Sequence, residues 1–176
     1  RKDKKLKNPV KKSIPDGLWG KCPSCHEIIY KPELEKNLSV CHHCNHHFRV
    51  PPEIYTELIL DKNSGKRIFD NIKPIDFLKF KASKEYKNQI LDAKQKTNEF
   101  DAIKVFDGDI NGKNIILGIM NFQFIGGSMG SVVGEVVSRA IVLAGKKDIP
   151  FILICASGGA RMQEGAISLM QLAKTS

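Results

Sequence analysis

Four cysteines near the start of the chain have the spacing of a metal site. They form two Cys-x-x-Cys pairs with fifteen residues between the pairs: Cys22, Cys25, Cys41 and Cys44. Each pair places two sulfurs on one tight turn, and Zn²⁺ favours four such ligands in a tetrahedron. Because four sulfurs leave no coordination position open for water, the spacing predicts one zinc ion with a structural role.

Two alternatives to this ligand set stay open on the residues alone. The cysteines could form two disulfides or remain free thiols, although disulfides need an oxidising compartment, of which there is no sign in the sequence. A histidine could also replace one cysteine, since four lie close to the second pair: His42, His43, His46 and His47. The stretch between the two pairs is predicted to form a hairpin that brings the four sulfurs together.

Two glycine-rich turns later in the chain are the second candidate site. They are Gly126-Gly127-Ser128-Met129-Gly130 and Ser157-Gly158-Gly159-Ala160-Arg161. The second turn follows an apolar strand and opens a predicted helix, so free N–H groups of the first helical turn would face an anion or a polarised carbonyl oxygen. Such an arrangement is an oxyanion hole built from main chain. The alternative is a strand-to-helix turn that binds no ligand.

The first turn matches the Gly-x-Ser-x-Gly pattern of the hydrolase nucleophile elbow. That chemistry requires a histidine after the serine in the chain. The last histidine is His47, far before Ser128, so these residues cannot complete a serine hydrolase triad. The turn also lacks the Gly-Lys-Ser/Thr of a phosphate-binding loop and the spacing of a dinucleotide fingerprint.

Alternating strands and helices are predicted around the two turns. Strands over 102–106 and 114–120 flank Asn111-Gly112, a favoured two-residue hairpin sequence. The run 151–154 is apolar on both faces, as in a central strand of an α/β sheet, and a last helix runs towards Leu172. The helix after the first turn has one apolar face, which consists of Val133, Val136, Val137, Ala140 and Ala144.

Two further helices are predicted before these strands. One opens at Pro51-Pro52, since proline is well tolerated in a first helical turn. The other is capped by Ser83 and runs to about Lys96, with a buried face made by Tyr86, Ile90 and Ala93. The chain thus divides into residues 1–20, a basic arm; 21–50, a zinc ribbon; 51–99, a helical connector; and 100–176, the first part of an α/β domain.

The charge of the chain is concentrated at its start. Residues 1–12 contain seven Lys and Arg and one acid, so they carry +6 of the formal net charge of +9. This arm is either solvated or bound to an anionic partner such as RNA. The rival function for the chain is therefore a zinc-ribbon RNA-binding module, in which ribbon and arm contact phosphates. Few aromatic residues could stack on bases there: Trp19, Tyr30 and Phe48.

The composition predicts a protein that does not enter a membrane. The longest apolar runs, 114–120 and 149–155, are far shorter than the ~20 residues of a membrane span. The start has no apolar signal segment, so we expect the protein in the cytoplasm. The last helix ends with its apolar face uncovered, and we expect a truncated domain that is inactive alone and self-associates.

The residues of both turns resemble those of one enzyme family. The stretches 126–134 and 156–164 closely resemble the carboxyltransferase β subunit of multi-subunit, bacterial and plastid-type acetyl-CoA carboxylase. A zinc ribbon stands ahead of the turns in that family too. The resemblance covers nearly the whole chain beyond the basic arm. It ends at Ser176, whereas family members continue with further strands and another glycine-glycine turn.

This resemblance implies a fold, a reaction and a set of partners. The implied fold is a crotonase-like (ClpP/crotonase) spiral of ββα units, here truncated and preceded by the zinc ribbon. The implied reaction moves a carboxyl group from N1′ of carboxybiotin, held on a carrier protein, to the methyl carbon of acetyl-CoA. The product is malonyl-CoA for fatty-acid biosynthesis. The implied partners are the carboxyltransferase α subunit in an α2β2 heterotetramer, biotin carboxyl carrier protein and biotin carboxylase.

The resemblance also implies roles for residues of the two turns. The expected catalytic residues, on the thioester side of the pocket, are Gly158, Gly159 and Ala160. The expected cofactor-binding residues are Gly126, Gly127 and Arg161. The Arg161 side chain would either contact a phosphate of CoA or anchor its own turn. Biotin released from the carboxyl group can itself serve as the base, which agrees with the lack of a histidine or cysteine constellation near the turns.

Overall fold

The computed structural model of the protein describes residues 17–176, so most of the predicted basic arm lies outside the described residues. The described residues divide into two compact units, 17–50 and 51–176. The first unit contains the four clustered cysteines, and the second contains both glycine-rich turns. Within residues 17–176, no helix combines the length and the apolar character needed to span a membrane.

The first unit is built from short elements around the cysteine pairs. Strand β1, Trp19–Lys21, pairs antiparallel with β2, Ile28–Tyr30, and helix α1, Lys31–Lys36, follows directly. A single antiparallel bridge joins Val40 and His47 around the second cysteine pair. Two buried cysteines and one isoleucine form the small core of this unit.

The predicted hairpin between the two cysteine pairs is wrong. That stretch contains β2 and α1, and each antiparallel pairing instead encloses one Cys-x-x-Cys pair. The reason is local, because β2 pairs with the strand just before Cys22 across the short turn 22–27. Pro32 then lies in the first turn of α1, where its fixed φ suits a helix. Two similar turns, and not one long hairpin, bring the pairs together.

A four-stranded sheet forms the centre of the second unit. The strands are Lys66–Ile68 (β3), Ile103–Ile110 (β4), Lys113–Met120 (β5) and Phe151–Ile154 (β6). Their order is β3-β4-β5-β6; the first two pairings are antiparallel and the last is parallel. The turn between β4 and β5 is Asn111-Gly112, as predicted, with φ angles of 50° and 72°. Both angles lie in the left-handed region that a type I′ hairpin turn requires.

Four helices accompany this sheet. They are Pro52–Ile59 (α2), Tyr86–Thr97 (α3), Ser131–Lys147 (α4) and Ala166–Thr175 (α5). Helix α4 buries the whole predicted apolar face, since each of its five members is at most 4% exposed. The main core forms where this face meets the apolar side chains of β4 and β5. The periodicity of the sequence therefore correctly predicted which side of α4 faces the sheet.

Helix α3 begins two residues later than predicted. An antiparallel bridge from Lys81 to Glu85 holds the preceding stretch in a turn, so Ser83 does not cap the helix. The predicted buried face is correct, because Tyr86 and Ala93 are both buried.

Strand β6 and helix α5 leave apolar side chains exposed. The sequence predicted that β6 would be a central strand, but within residues 17–176 it is an edge strand that pairs with β5 alone. Its residue Ile152 is 39% exposed. The outer side of α5 is apolar and exposed as well: Ile167, Leu169, Met170 and Leu172. An apolar surface of this kind is typical of an interface.

Candidate active site and metal centre

The four predicted zinc ligands converge on one point. Their sulfur atoms all lie within 4.8 Å of one another, with 3.7 Å between the sulfurs of Cys22 and Cys44 and 3.8 Å between those of Cys25 and Cys41. A tetrahedral zinc site with Zn–S bonds of about 2.3 Å has S···S edges of about 3.8 Å. A disulfide would need about 2.05 Å, and none of these cysteines is in one. The donor set therefore fits a structural zinc ion, which would stabilise this small unit.

Both cysteine pairs are held by the same backbone turn. The Cys22 N–H donates to Glu27 O (2.9 Å), and the His26 N–H, at a φ of 64°, donates to Cys22 O (3.0 Å). The second pair repeats these bonds, from the Cys41 N–H to His46 O (2.8 Å) and from the Asn45 N–H to Cys41 O (2.9 Å). Because the two turns have the same geometry, each presents its two sulfurs in the same way.

The histidines near the second pair do not join this cluster within the described part of the chain. His42 and His43 are exposed and contact each other, with ring centroids 4.0 Å apart. Burial alone would raise the pKa of the Cys22 thiol, but the backbone N–H groups of Cys25 and Ser24 lower it to about 7. The pKa of the adjacent Cys25 thiol moves the other way, to about 12, because the backbone hydrogen bond from Glu27, which lowers it, is outweighed by burial and the neighbouring sulfurs. A lowered thiol pKa favours the thiolate, which is the form that binds metal.

The two glycine-rich turns lie side by side in the second unit. Three backbone hydrogen bonds join them: the Gly158 N–H donates to Gly126 O (2.9 Å), the Met129 N–H to Gly159 O (2.8 Å) and the Arg161 N–H to Met129 O (2.9 Å). The structure thus brings together the residues that the resemblance assigns to catalysis and to cofactor binding. Sequence spacing alone could not indicate that the turns touch.

At two positions of the first turn, neighbouring atoms lie so close to the backbone that only glycine fits. Gly127 has a φ of 65°, and a β-carbon there would overlap the carbonyl oxygen of Ala156. A β-carbon on Gly130 would lie 2.7 Å from Glu164 Oε1 and 2.9 Å from Arg161 Nη1. Larger side chains at either position would push the two turns apart.

The predicted backbone donors of the second turn differ in their availability. The Gly158 N–H is already bonded to the first turn, and the Gly159 N–H is bonded to the exposed hydroxyl of Ser157 (3.1 Å). The Ala160 N–H has no acceptor among residues 17–176. Of the three predicted donors, Ala160 is therefore the one free to bind a substrate oxygen. The Gly159 N–H becomes free if the Ser157 side chain rotates away. The sequence alone indicated no role for Ser157.

A small cavity opens beside the second turn. Its volume is about 270 Å³, and it is lined by Met129, Ser157, Gly159, Ala160, Ser168 and Leu172. Pockets for drug-sized ligands start at about 300 Å³, so this space suits a small group such as a short acyl chain. The backbone of Gly159 and Ala160 forms part of its wall.

The helix after the second turn begins later than predicted. A 3₁₀ turn, Met162–Glu164, and Gly165 at a φ of 56° intervene before α5 starts at Ala166. The N-terminal dipole of α5 therefore does not act directly at Gly158–Ala160. The second turn instead continues as an extended segment that forms a parallel bridge from Ala160 to Met129.

The Arg161 side chain is completely buried and fully occupied. Its guanidinium makes two bonds to Asp101 (2.7 and 2.8 Å), one to the Tyr86 hydroxyl (3.2 Å) and two to Ser128, at Oγ (3.1 Å) and at the carbonyl oxygen (2.7 Å). Burial alone would lower the pKa of Arg161, but the Asp101 carboxylate raises it above its ordinary value. This side chain has no donor left for a phosphate of CoA. The geometry corrects that assignment and favours the alternative, that Arg161 anchors its turn.

Glu164 completes this buried group. Its Oε1 accepts from the Tyr86 hydroxyl (2.6 Å), and its Oε2 accepts from the Ser131 N–H (2.6 Å) at the start of α4, where a carboxylate is favourable. Burial raises the pKa of Tyr86 above its ordinary value. Sequence analysis missed Asp101 and Glu164 and treated Tyr86 as a core residue only. The signal available was Glu164 itself, an acid inside the motif 156–164.

Both sites lie in parts of the chain that match known protein families. Residues 19–44 match the acetyl-CoA carboxylase zinc finger domain, and residues 71–175 match the carboxyl transferase domain. The second match covers more than half of the chain. The chain therefore belongs to the carboxyl transferase family, and it carries a zinc finger of the acetyl-CoA carboxylase type. The resemblance predicted from the two turns is confirmed.

Solved carboxyltransferase structures share the fold. Transcarboxylase 12S, with methylmalonyl-CoA and methylmalonic acid bound, is 23% identical with a TM-score of 0.57, over 72% of this chain and 22% of that one. A Pseudomonas malonate decarboxylase hetero-tetramer in complex with malonate is 20% identical, with a TM-score of 0.54, over 81% and 48%. The β subunit of P. aeruginosa geranyl-CoA carboxylase is 17% identical, with a TM-score of 0.55, over 82% and 22%. The crotonase-like α/β fold is confirmed, and this chain spans less than half the length of these proteins.

Proposed function

We propose that this chain is the β subunit of the carboxyltransferase of acetyl-CoA carboxylase, and that it acts in the cytoplasm. The observation that carries the proposal is the presence, in one chain, of an acetyl-CoA carboxylase zinc finger at 19–44 and a carboxyl transferase domain at 71–175. Proteins of the same fold use other acyl-CoA thioesters: one structure contains methylmalonyl-CoA, and another is a geranyl-CoA carboxylase. The zinc finger is the feature that favours acetyl-CoA.

The proposed reaction needs an oxyanion site more than it needs a protein base. The bond between N1′ of carboxybiotin and its carboxyl carbon breaks first, which releases CO2 and leaves the electron pair on N1′. That electron pair takes up a methyl proton of acetyl-CoA, and the negative charge moves to the thioester oxygen. The methyl carbon then bonds to CO2 and gives malonyl-CoA, so atoms and charges balance. This scheme agrees with turns that contain no histidine or cysteine.

The backbone of the second turn is suited to the charged oxygen. The Ala160 N–H is free among residues 17–176, and the Gly159 N–H shares the same cavity wall. One donor of this type is typically worth about 2.7–4 kcal/mol in the transition state.

Partner subunits are part of the proposal. The exposed apolar side of α5, with Leu169, Met170 and Leu172 all at least 59% exposed, suits coverage by another subunit. Malonate decarboxylase, which has the same fold, is a hetero-tetramer. By analogy we propose an α2β2 arrangement with a carboxyltransferase α subunit, served by biotin carboxyl carrier protein and biotin carboxylase.

A comparison of acyl-CoA substrates tests the proposal. The complete complex that contains this chain is supplied with carboxybiotin carrier protein and with acetyl-, propionyl- or geranyl-CoA in turn, and kcat/KM is measured for each. We expect acetyl-CoA to be preferred over geranyl-CoA by at least about a hundredfold, since the zinc finger of this chain is of the acetyl-CoA carboxylase type. Equal or better use of geranyl-CoA would contradict the proposed substrate and leave the family assignment intact.

A further inference from the structure

Three segments of the second unit meet at one group of four buried polar side chains. The group consists of Tyr86 at the start of α3, Asp101 just before β4, Arg161 at the end of the second turn and Glu164 just after it. Each of the four is at most 4% exposed. Asp101 pairs with Arg161, and the Tyr86 hydroxyl bridges Arg161 and Glu164. These four side chains form one continuous set of contacts, called the anchor network below.

The anchor network holds the first turn on both sides of Met129. On one side, Arg161 donates to the carbonyl oxygen of Ser128 (2.7 Å) and to its hydroxyl (3.1 Å). On the other side, Glu164 accepts from the Ser131 N–H (2.6 Å). The backbone of Met129 lies between these two points of attachment and is therefore fixed by them.

Met129 in turn sets the direction of the free N–H in the second turn. Its own N–H donates to Gly159 O (2.8 Å), and its carbonyl oxygen accepts from the Arg161 N–H (2.9 Å). Gly159 C=O and Ala160 N–H belong to one peptide group, which is planar and trans, so they point in opposite directions. With the carbonyl bonded to Met129, the Ala160 N–H must point away from the backbone of the first turn.

We infer that Tyr86, Asp101 and Glu164 are positioning residues for the oxyanion site. They act through Arg161 and Met129 on the orientation of the Ala160 N–H and do not touch the substrate themselves. This inference rests on the proposed function, because it assigns the Ala160 N–H to the thioester oxygen. A preorganised donor is effective only in its productive orientation, so loosening the network should reduce turnover more than substrate binding.

The chain offers a matched control for this inference. Glu99 is 5% exposed and forms ion pairs with Lys104 (2.8 Å) and with Arg67, so it belongs to a second buried charge network. That network joins β3 and β4, and among residues 17–176 it forms no hydrogen bond or ion pair with either glycine turn. Glu99→Gln therefore weakens ion pairs that are about as buried as the pair between Asp101 and Arg161, and it leaves the anchor network intact.

The test uses the complete complex with Asp101→Asn, Tyr86→Phe or Glu99→Gln in this chain. Two quantities are measured: kcat and KM for acetyl-CoA per folded site, and hydrogen exchange of the Met129 and Arg161 amides. For Asp101→Asn we expect kcat to fall by about tenfold to a hundredfold, less than the 10²–10³-fold loss from deleting a donor outright. We expect KM to change by less than about threefold and both amides to exchange at least about tenfold faster. Tyr86→Phe should shift both readouts in the same direction and by less, and Glu99→Gln should shift neither.

Several results would overturn the inference. They are unchanged exchange at Met129 and Arg161 in both network variants, faster exchange with normal kcat, or an equal loss of kcat in Glu99→Gln. If Asp101→Asn does not fold, Tyr86→Phe decides alone, since it removes a single hydroxyl. If the wild-type complex transfers no carboxyl group to acetyl-CoA, the proposed function fails, while the exchange comparison still decides whether the network holds the turns.

Discussion

Gly127 lies directly against the carbonyl oxygen of Ala156, so closely that a β-carbon on residue 127 would overlap that oxygen. This contact joins the start of one glycine turn to the end of β6 and the beginning of the other. It explains why the first turn contains a glycine at this position, where φ is also positive at 65°. The two turns form one structural unit although nearly thirty residues separate them in the sequence.

Gly127→Ala should destabilise the second unit. The overlap with Ala156 and the strained φ together should lower the free energy of unfolding by about 1–3 kcal/mol. The control is Gly145→Ala in α4, where a β-carbon meets nothing within 4 Å and a helical alanine is worth up to about 1 kcal/mol. Denaturant unfolding of both variants checks this expectation, and equal stability of the two would count against it.

Gly134→Ala should separate α4 from α5. A β-carbon there would overlap Gln171 Oε1 and lie 2.7 Å from Gln171 Cβ, so the two helices would have to move apart. We expect a loss of about 1–3 kcal/mol in unfolding free energy. Adding Gln171→Ala should recover part of that loss, because the obstructing side chain is gone. A double-mutant cycle measures this coupling, and simple additivity would show that Gln171 is not the obstacle.

The stability of the second unit should fall at alkaline pH through Tyr86. Burial raises the pKa of this hydroxyl in the folded state above its ordinary value of about 10. Below pH ~10 the Tyr86 hydroxyl is protonated in both states, and the folded state keeps its full stability. Above pH ~10 this hydroxyl ionises first in the unfolded chain, so the free energy of unfolding falls as the pH rises. From pH 10 to 11, wild type should therefore lose up to about 1.4 kcal/mol more than Tyr86→Phe. Parallel curves for the two proteins would contradict this prediction.

Removing the metal should unfold the first unit alone. We expect one zinc ion per chain, and chelation or Cys22→Ser should abolish the folded state of residues 21–50, since zinc supplies roughly 10–16 kcal/mol in small zinc domains. The unfolding transition of the second unit should stay in place. Metal analysis and the thiolate bands of a cobalt-substituted sample check the ligand set. A zinc content near zero in freshly reduced protein, or a cobalt spectrum without those bands, would contradict it.

The sequence predicted well those features that depend on neighbouring residues. The Asn111-Gly112 turn and the buried face of α4 follow from local conformational preference and from the 3.6-residue period. The cysteine spacing likewise indicated the zinc site before the four sulfurs were seen together. In each case the residues that decide the structure have a recognisable spacing in the sequence.

Features that depend on distant partners were missed or misplaced. Strand β3 is only three residues long, too short for a periodic signal, and it exists because it pairs with β4. The anchor network brings Tyr86 and Asp101 to Arg161 across separations of 75 and 60 residues. The sequence left two roles open for Arg161, because an arginine at the end of a glycine turn can either bind a phosphate or anchor the turn. Only its burial decided between them.

The most direct test of the account is carboxyl transfer by Gly159→Val. Gly159 has a φ of 112°, which valine cannot readily adopt, but a β-carbon there meets nothing within 4 Å, so assembly should survive. In the complete complex, labelled carboxybiotin carrier protein and acetyl-CoA should give labelled malonyl-CoA with wild type. With Gly159→Val the rate should be lower by at least about a hundredfold, while Gly145→Ala stays near wild type. Near-normal transfer in an assembled Gly159→Val complex would show that the oxyanion site lies elsewhere.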